Sequence, residues 1–157
     1  NGLKETVEIQ AHKDQMDHNL VHPKLSMISG NQFIANPQFQ EEVFGPFSLV
    51  VKCKNLQELE QVIYHLKGQL TGSIFAQADD YKLIEPLIQA FKSKVGRLLF
   101  NDVPTGVEVS EAMTHGGPYP ASSDSRFTAV GPGSIYRWIR PITYQNWPVE
   151  LLAKLMN

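Results

Sequence analysis

Apolar and polar residues alternate with two different periods between residues 47 and 101. Three short apolar stretches, Phe47–Cys53, Leu70–Ala76 and Arg97–Asn101, have the length and composition of β-strands. Two segments between them repeat apolar residues every three or four positions, which predicts amphipathic helices. The two stripes are Leu56, Leu59, Val62, Ile63 and Leu66, and then Leu83, Ile84, Leu87, Ile88 and Phe91. We therefore expect an α/β fold with a parallel βαβαβ sheet flanked by helices, and the apolar Val50 predicts strands covered on both faces.

Capping and helix-breaking residues lie at the ends of both predicted helices. Asn55, followed three residues later by Glu58, has the pattern of a capping box. Gly68 is placed to end the first helix in a left-handed conformation. Either Asp79 or Asp80 is placed to cap the second helix, within which Pro86 predicts a kink or a restart.

The remaining segments have weaker patterns. Leu25–Ala35 has short apolar pieces broken by Ser29-Gly30-Asn31, which predicts a hairpin-like pair of strands. Gly96 predicts a break before the last strand, and Asp102–Pro132 has no period and predicts a long loop. Near the end of the chain we expect a short helix at Ser134–Arg140 stopped by Pro141, an extended tail at Thr143–Trp147 and a weak helical turn at Val149–Met156.

Composition excludes several classes of protein. A formal net charge of −2 gives no electrostatic basis for binding nucleic acid or an anionic membrane. No apolar run approaches the roughly 20 residues of a membrane-spanning helix, and no signal peptide is visible. The single cysteine excludes a framework of internal disulfides and favours a reducing, cytoplasmic location.

The long loop is the candidate site, because ligands of open parallel sheets bind beyond the carboxyl ends of the strands. The loop residues that can do chemistry are Asp102, Thr105, Glu108, Glu111, Thr114, His115, Tyr119 and Arg126. The chain has neither a Gly-x-x-x-x-Gly-Lys phosphate loop nor a Gly-x-Gly-x-x-Gly segment after a strand.

Two segments resemble the C-terminal part of an NAD(P)-dependent aldehyde dehydrogenase. Glu41-Glu42-Val43-Phe44-Gly45-Pro46 matches a characteristic segment of that family at every position. The second match comprises Gly96–Asn101, Pro104–Val109 and His115–Pro120, and Arg137–Pro141 and Tyr144–Asn146 extend it. This second match is similar to a narrower branch, which includes the NADP-preferring and the 2,5-dioxovalerate (2-oxoglutarate semialdehyde) dehydrogenases. The resemblance covers about residues 21 to 148, and divides the chain into a polar edge segment (1–24), a partial catalytic domain (25–141) and a C-terminal tail (142–157).

The resemblance assigns roles to individual residues. Glu42 would hydrogen-bond the nicotinamide ribose hydroxyls, which suits a carboxylate facing a vicinal diol, and Phe44 would pack near the nicotinamide ring. The alternative is a surface carboxylate beside a core phenyl ring. Thr114, His115, Tyr119 and Arg126 would form a substrate wall. His115 would tune the reactive thiol or hold a substrate carboxylate, or else it only binds a backbone carbonyl; Arg126 more simply pairs with Asp124.

The nucleophilic cysteine, the general base and the Rossmann domain of this family lie upstream of the Glu-Glu-Val-Phe segment, so we expect no catalytic residue in this chain. Cys53 lies in an apolar strand and is interpreted as a small buried hydrophobe. We therefore expect a fragment that is inactive alone and holds no cofactor, whereas the intact enzyme would oxidise an aldehyde with NADP or NAD. The alternative is a non-catalytic α/β binding or assembly module derived from a dehydrogenase.

Two further expectations concern metals and assembly. His12, Asp14, Asp17, His18 and His22 have spacings that do not form one helical cluster, so no metal site is predicted. The tail from Ile142 to Trp147 has strand character without a local partner, and the family joins subunits through a segment after the catalytic domain. We therefore expect the intact protein to be a homo-oligomer.

Overall fold

The computed structural model describes residues 5–8 and 23–155. The strands are β1 (Glu5–Glu8), β2 (Lys24–Ser29), β3 (Phe47–Lys52), β4 (Gln69–Ile74) and β5 (Val95–Phe100). The α-helices are α1 (Gly30–Ala35), α2 (Leu56–His65), α3 (Tyr81–Lys92) and α4 (Val149–Leu155), and 3-10 helices occur at Pro37–Gln40, Ala78–Asp80 and Pro132–Arg137. The predicted α/β class and the order strand, helix, strand, helix, strand from β3 to β5 are confirmed.

The strands form two small sheets rather than one. β1 pairs with β2 in antiparallel fashion, and β2 pairs with β3 in parallel, with Leu25 opposite Ser48. β4 and β5 form a separate parallel pair, with Thr71 opposite Arg97. Within the described residues no pairing joins β3 to β4, so the single βαβαβ sheet is not observed. β1 lies at the edge of its sheet, and residues 9–22, which include the histidines and aspartates considered for a metal site, lie outside the described residues.

The predicted hairpin at Leu25–Ala35 is wrong, because Ser29 starts a helix instead of a turn. The Ser29 hydroxyl oxygen accepts from the Gln32 backbone N–H at 3.2 Å. The Gln32 side-chain oxygen accepts from the Ser29 backbone N–H at 2.9 Å, which completes a capping box. Ser, Gly and Asn are common both in turns and at helix starts. The hydrogen bonds between Ser29 and Gln32 favour the helix start here.

α2 begins as predicted but ends earlier. The Asn55 side-chain oxygen accepts from the Glu58 N–H at 2.9 Å, while the Glu58 carboxylate accepts from Lys54 N–H at 2.6 Å, one residue before the expected capping-box partner. The helix ends at His65, and Gly68 has no left-handed conformation. Its predicted role as a C-terminal cap is therefore wrong.

Two apolar clusters form the core, and α2 contributes to both. Ile63 packs with residues of β4 and α3, namely Ile74, Ile84, Leu87 and Ala90. Its neighbour Val62 packs with Ile28 of β2 and Phe33 of α1. Adjacent residues on the buried stripe of α2 thus join the two sheets, which no pairing of the described strands does.

The open face of β3 departs from expectation. Phe47, Leu49 and Val51 are half-buried, whereas Ser48, Val50 and Lys52 on the other face are exposed. Val50 is 38% exposed, so the described residues cover β3 on one face and leave the other open.

α3 runs without interruption from Tyr81 to Lys92, so Pro86 causes no restart. Asp80 does not cap α3 through its side chain; its carboxylate accepts from Gln77 N–H at 3.0 Å and closes the preceding 3-10 turn. Of the predicted stripe, Ile84 and Leu87 are buried, whereas Leu83 is 56% exposed. The predicted break at Gly96 is also wrong, because Gly96 lies inside β5.

Residues 101–131 contain no helix or strand, as predicted for the long loop. The predicted helix at 134–140 is a 3-10 helix shifted toward the N-terminus, at Pro132–Arg137. The weak helical turn predicted near the C-terminus is α4, and the preceding tail pairs with no described strand. No helix in residues 5–8 and 23–155 is long and apolar enough to cross a bilayer.

Candidate functional site

The Glu41–Pro46 segment forms a bend between the first 3-10 helix and β3. Gly45 has φ of 144°, a conformation that side chains oppose. Phe47 N–H donates to the Gly45 carbonyl at 2.8 Å, and Lys24 N–H donates to the Pro46 carbonyl at 2.8 Å. These bonds fix the bend at the amino ends of β2 and β3.

The bend exposes the two side chains predicted to bind the cofactor. Phe44 is 90% exposed, and Glu42 is also exposed. Neither belongs to the apolar clusters, so the alternative of a core phenyl ring is wrong for this chain. The hydrogen-bonded bend therefore leaves a carboxylate and a phenyl ring free to contact a ligand.

Gln40 anchors this bend to the end of α2. Its side-chain amide donates to the His65 carbonyl at 2.9 Å, and its oxygen accepts from Lys67 N–H at 2.8 Å. One glutamine therefore satisfies a carbonyl that the helix end leaves open and the N–H of a residue just beyond the helix.

The turn at residues 115–119 is anchored to the same region by close backbone approach. Gly68 N–H donates to the Tyr119 carbonyl at 3.3 Å. A Cβ atom on Gly68 would overlap the Pro118 carbonyl, and one on Gly96 would overlap the carbonyl of Gly116. Only glycine permits these approaches, which explains Gly68 and Gly96 better than the predicted cap and break do.

The two sequence motifs therefore flank one short segment, residues 65–69, at the amino end of β4. The predicted location was the carboxyl edge of the sheet, from which the long loop departs after Phe100. The loop instead doubles back along β5, so that Gly116 lies against Gly96 near the start of that strand. The expectation of a site beyond the carboxyl ends is thus wrong for residues 115–119.

A polar cavity of about 420 Å³ lies beside this turn. Its lining residues are Leu70, His115, Gly116, Ala121, Ser122, Ser123, Asp124, Phe127, Ala129 and Arg137. The His115 backbone is fixed, because its N–H donates to the Thr128 hydroxyl at 2.9 Å and its carbonyl accepts from Ala129 N–H at 2.8 Å. The ring atom Nδ1 is buried and has no hydrogen-bond partner among the described residues, which is costly unless another part of the protein supplies one.

Arg126 is engaged by Asp124, the alternative that the sequence left open. Its Nη2 lies 2.6 Å from Asp124 Oδ2, and its Nε lies 3.0 Å from Oδ1. The guanidinium also lies 5.5 Å from the centre of the Phe127 ring. The hydrogen bonds from Arg126 lower the pKa of Asp124 to about 2, and the same pair raises the pKa of Arg126.

The other predicted loop residues are not gathered with His115. Thr114 is exposed, Tyr119 is 82% exposed, and neither lines the cavity. The remaining polar candidates, Asp102, Thr105, Glu108 and Glu111, are also exposed.

Cys53 has the environment of a structural thiol. It is half-buried, and burial together with the charge of Glu58 raises its pKa, which disfavours the reactive thiolate. It lines a separate cavity of about 320 Å³ with residues of β2 and α1. In the part of the chain that the structure describes, no group of His, Cys, Asp and Glu is arranged to hold a metal ion.

Three residues that position this region were not identified from the sequence. Gln40 holds the bend, Arg97 contacts two points of the long loop, and Asn101 joins the ends of β4 and β5. Asn101 has φ of 49°, and an asparagine directly after an apolar strand was the available signal.

Comparison with known proteins identifies relatives of one kind, although it identifies no family model. No protein-family model matches the chain. It is 47% identical over 127 residues to alpha-ketoglutaric semialdehyde dehydrogenase 2 of Azospirillum brasilense, an alignment covering 81% of this chain and 24% of that protein. It is 43% identical over 150 residues to alpha-ketoglutaric semialdehyde dehydrogenase of Acinetobacter baylyi, covering 96% of this chain and 26% of that protein. The chain thus spans about a quarter of the length of these curated relatives.

Proposed function

Because this chain belongs to the aldehyde dehydrogenases over most of its length, we propose that it forms part of an enzyme that oxidises an aldehyde to an acid with NAD(P). We further propose a carboxylate-bearing semialdehyde as the substrate, the class named in both relatives. The observation that supports the proposal is the exposed Glu42–Phe44 pair, held in a fixed bend next to the segment against which the 115–119 turn packs.

The proposed cofactor residues fit a nicotinamide ribose chemically. A carboxylate accepts hydrogen bonds from both hydroxyls of a vicinal diol, and Glu42 is exposed and free of ion pairs in the described residues. Phe44 offers an exposed apolar surface two residues away, against which a nicotinamide ring would be oriented. The cofactor, NADP or NAD, would supply the hydride acceptor.

His115 is the strongest candidate among the proposed wall residues. Its backbone is fixed at both ends, and its buried Nδ1 lacks a partner within the described part of the chain. It also lines the polar cavity, which suits it to hydrogen-bond a substrate carboxylate or a reactive thiol. Arg126 is less suited, because Asp124 already neutralises its charge. Thr114 and Tyr119 are exposed, so they would contact the substrate only from the surface of the loop.

The proposed enzyme needs a nucleophile from outside these 157 residues. A thiolate attacks the aldehyde carbon in the chemistry that the family resemblance implies, and Cys53 has a raised pKa and lies in a different cavity from His115. We propose that the chain contributes cofactor and substrate positioning, and that it shows no aldehyde oxidation when produced alone.

We also propose that the complete protein is a homo-oligomer that buries part of the C-terminal tail. Large apolar side chains in the tail and just before it are exposed, including Trp138 at 83%, Ile142 at 63% and Val149 at 76%. Exposed apolar residues in this number are typical of surfaces covered by other protein. A strictly monomeric complete protein in light scattering would contradict this proposal.

The decisive experiment measures aldehyde-dependent reduction of NAD(P) by the complete protein and two matched variants. Glu42→Ala is expected to lower kcat/KM about a hundredfold, through lost positioning of the nicotinamide. Glu41→Ala removes the adjacent exposed carboxylate and should leave activity within about twofold. Equal effects of the two variants, or a wild type without activity toward any semialdehyde, would refute the proposed role.

A second experiment addresses His115. His115→Ala in the complete protein is expected to change turnover or the alkylation rate of the reactive thiol, whereas Lys82→Ala, on an exposed position of α3, should change neither. Unchanged turnover and unchanged thiol reactivity in the His115 variant would assign this histidine a purely structural role.

A further inference from the structure

Arg97 contacts the long loop from the middle of β5. Its Nη1 donates to the Gly106 carbonyl at 2.8 Å and lies 3.7 Å from the Met113 sulfur. Residues 102–109 are exposed throughout, and they extend past the carboxyl end of β5 before returning along it. One side chain therefore ties both the outgoing and the returning part of this excursion to the strand.

The environment of Arg97 is unfavourable for a charged side chain. The side chain is half-buried, and its buried Nε has no hydrogen-bond partner within residues 5–8 and 23–155. In the described part of the chain, no carboxylate lies within ion-pair distance of this guanidinium. An apolar side chain at this strand position would avoid the cost of desolvating a guanidinium. The hydrogen bond to the Gly106 carbonyl is the clearest interaction that offsets this cost.

The contacts of Gly96 and Arg97 bracket two proposed wall residues. Met113 is fixed by the Arg97 guanidinium, and Gly116 is fixed by backbone approach to Gly96. Thr114 and His115 lie between these two points. Adjacent residues of β5 therefore set where this part of the loop begins and ends.

We infer that Arg97 is a positioning residue that fixes the shape of the loop around Thr114 and His115 and so sets which aldehydes the enzyme accepts. This inference rests on the proposed aldehyde-oxidising function. Arginine suits the role because its planar guanidinium holds Nη1 in a fixed orientation between the Gly106 carbonyl and the Met113 sulfur, whereas the flexible ammonium group of lysine has no such orientation.

The test uses the complete protein with Arg97→Met, Arg97→Lys and the control Arg140→Met, which removes an exposed arginine. Each is assayed with butyraldehyde and with succinic semialdehyde. Arg97→Met should change the ratio of the two kcat/KM values about tenfold, mainly through KM for the aldehyde, in line with the cost of misplaced binding groups. Arg97→Lys should give an intermediate ratio, and the KM for NAD(P) should stay within about twofold in all variants.

Hydrogen exchange of residues 102–113 provides a readout that is independent of catalysis. Exchange there should be faster in Arg97→Met and unchanged in Arg140→Met, with α2 and α3 protected equally in both. An active wild type whose Arg97 variants keep the same aldehyde ratio and the same loop exchange would overturn the role of Arg97. A wild type that oxidises neither aldehyde would instead refute the proposed function, so the two failures are distinguishable.

Discussion

Residues 47–100 and residues 101–148 keep their shapes by different means. The first region has three strands and two helices, and its buried apolar side chains divide between two clusters that meet at Val62 and Ile63 of α2. The second has a single short 3-10 helix and is held through backbone carbonyls, glycines and side-chain hydrogen bonds to the backbone. The scaffold is thus maintained by burial, while the candidate site is maintained by close approach of one backbone to another.

The largest effect should come from the core of the first region. Ile63 is 2% exposed, and Ile63→Ala removes apolar contacts that join α2 to α3 and β4. We expect a loss of about 4 kcal/mol in the free energy of unfolding, measured by urea denaturation of the complete protein. Leu83→Ala on exposed α3 surface is the control and should cost under about 1 kcal/mol. Equal losses of stability in the two variants would mean that the packing of Ile63 does not stabilise this core.

The contact between the two regions should be the next most sensitive position. A Cβ atom at Gly96 would overlap the Gly116 carbonyl, so Gly96→Ala must displace either β5 or the loop. We expect a loss of about 3 kcal/mol. Gly106→Ala has open space around it and no left-handed φ, and it should be neutral or gain a few tenths of a kcal/mol. If the two variants lose the same amount in thermal unfolding, the close approach is not what holds the loop.

These glycines also show where prediction from the sequence ends. The helical stripes predicted α2 and α3, and the apolar stretches predicted β3, β4 and β5 within two residues at each end, because periodicity is a local property. The local pattern predicts a cap at Gly68 and a break at Gly96, because those are the local reasons for a glycine. Their observed reason is a tertiary contact with residues 116–119, which no local pattern contains.

Strand pairing and the location of the candidate site follow the same logic. The order of β3, β4 and β5 is predictable from local patterns, but the pairing of β3 with β2, in a sheet separate from β4 and β5, is a tertiary arrangement that no local pattern contains. The motif residues Glu42 and His115 were singled out from the sequence by resemblance. That both motifs flank residues 65–69 depends on Gln40 and on the return of the loop, which only the structure shows.

The junction between the two regions should show an intermediate effect. Asn101 has φ of 49°, and its amide accepts from Ala76 N–H at 2.8 Å and donates to the Ala76 carbonyl at 2.9 Å. Asn101→Ala should cost about 2 kcal/mol, from lost hydrogen bonds and the strained φ together. Asn101→Gly relieves the strain and should cost about 1 kcal/mol. Identical losses in urea denaturation would show that the left-handed conformation contributes nothing at this junction.

The smallest effect should come from the exposed Asp124–Arg126 pair. Because Arg126 lowers the pKa of Asp124 to about 2, below the ordinary 3.8, the unfolded state binds more protons between these two values. The stabilisation from the pair is therefore present above pH 4 and is lost as the pH falls toward 2. The difference in unfolding midpoint between wild type and Asp124→Asn should be small above pH 4, shrink toward pH 2, and shrink again in 1 M salt, because solvent screens an exposed pair. A midpoint difference that grows as the pH falls would have the wrong sign for this pair. A large midpoint difference that persists in 1 M salt would mean that ion pairing, rather than close backbone approach, maintains the loop.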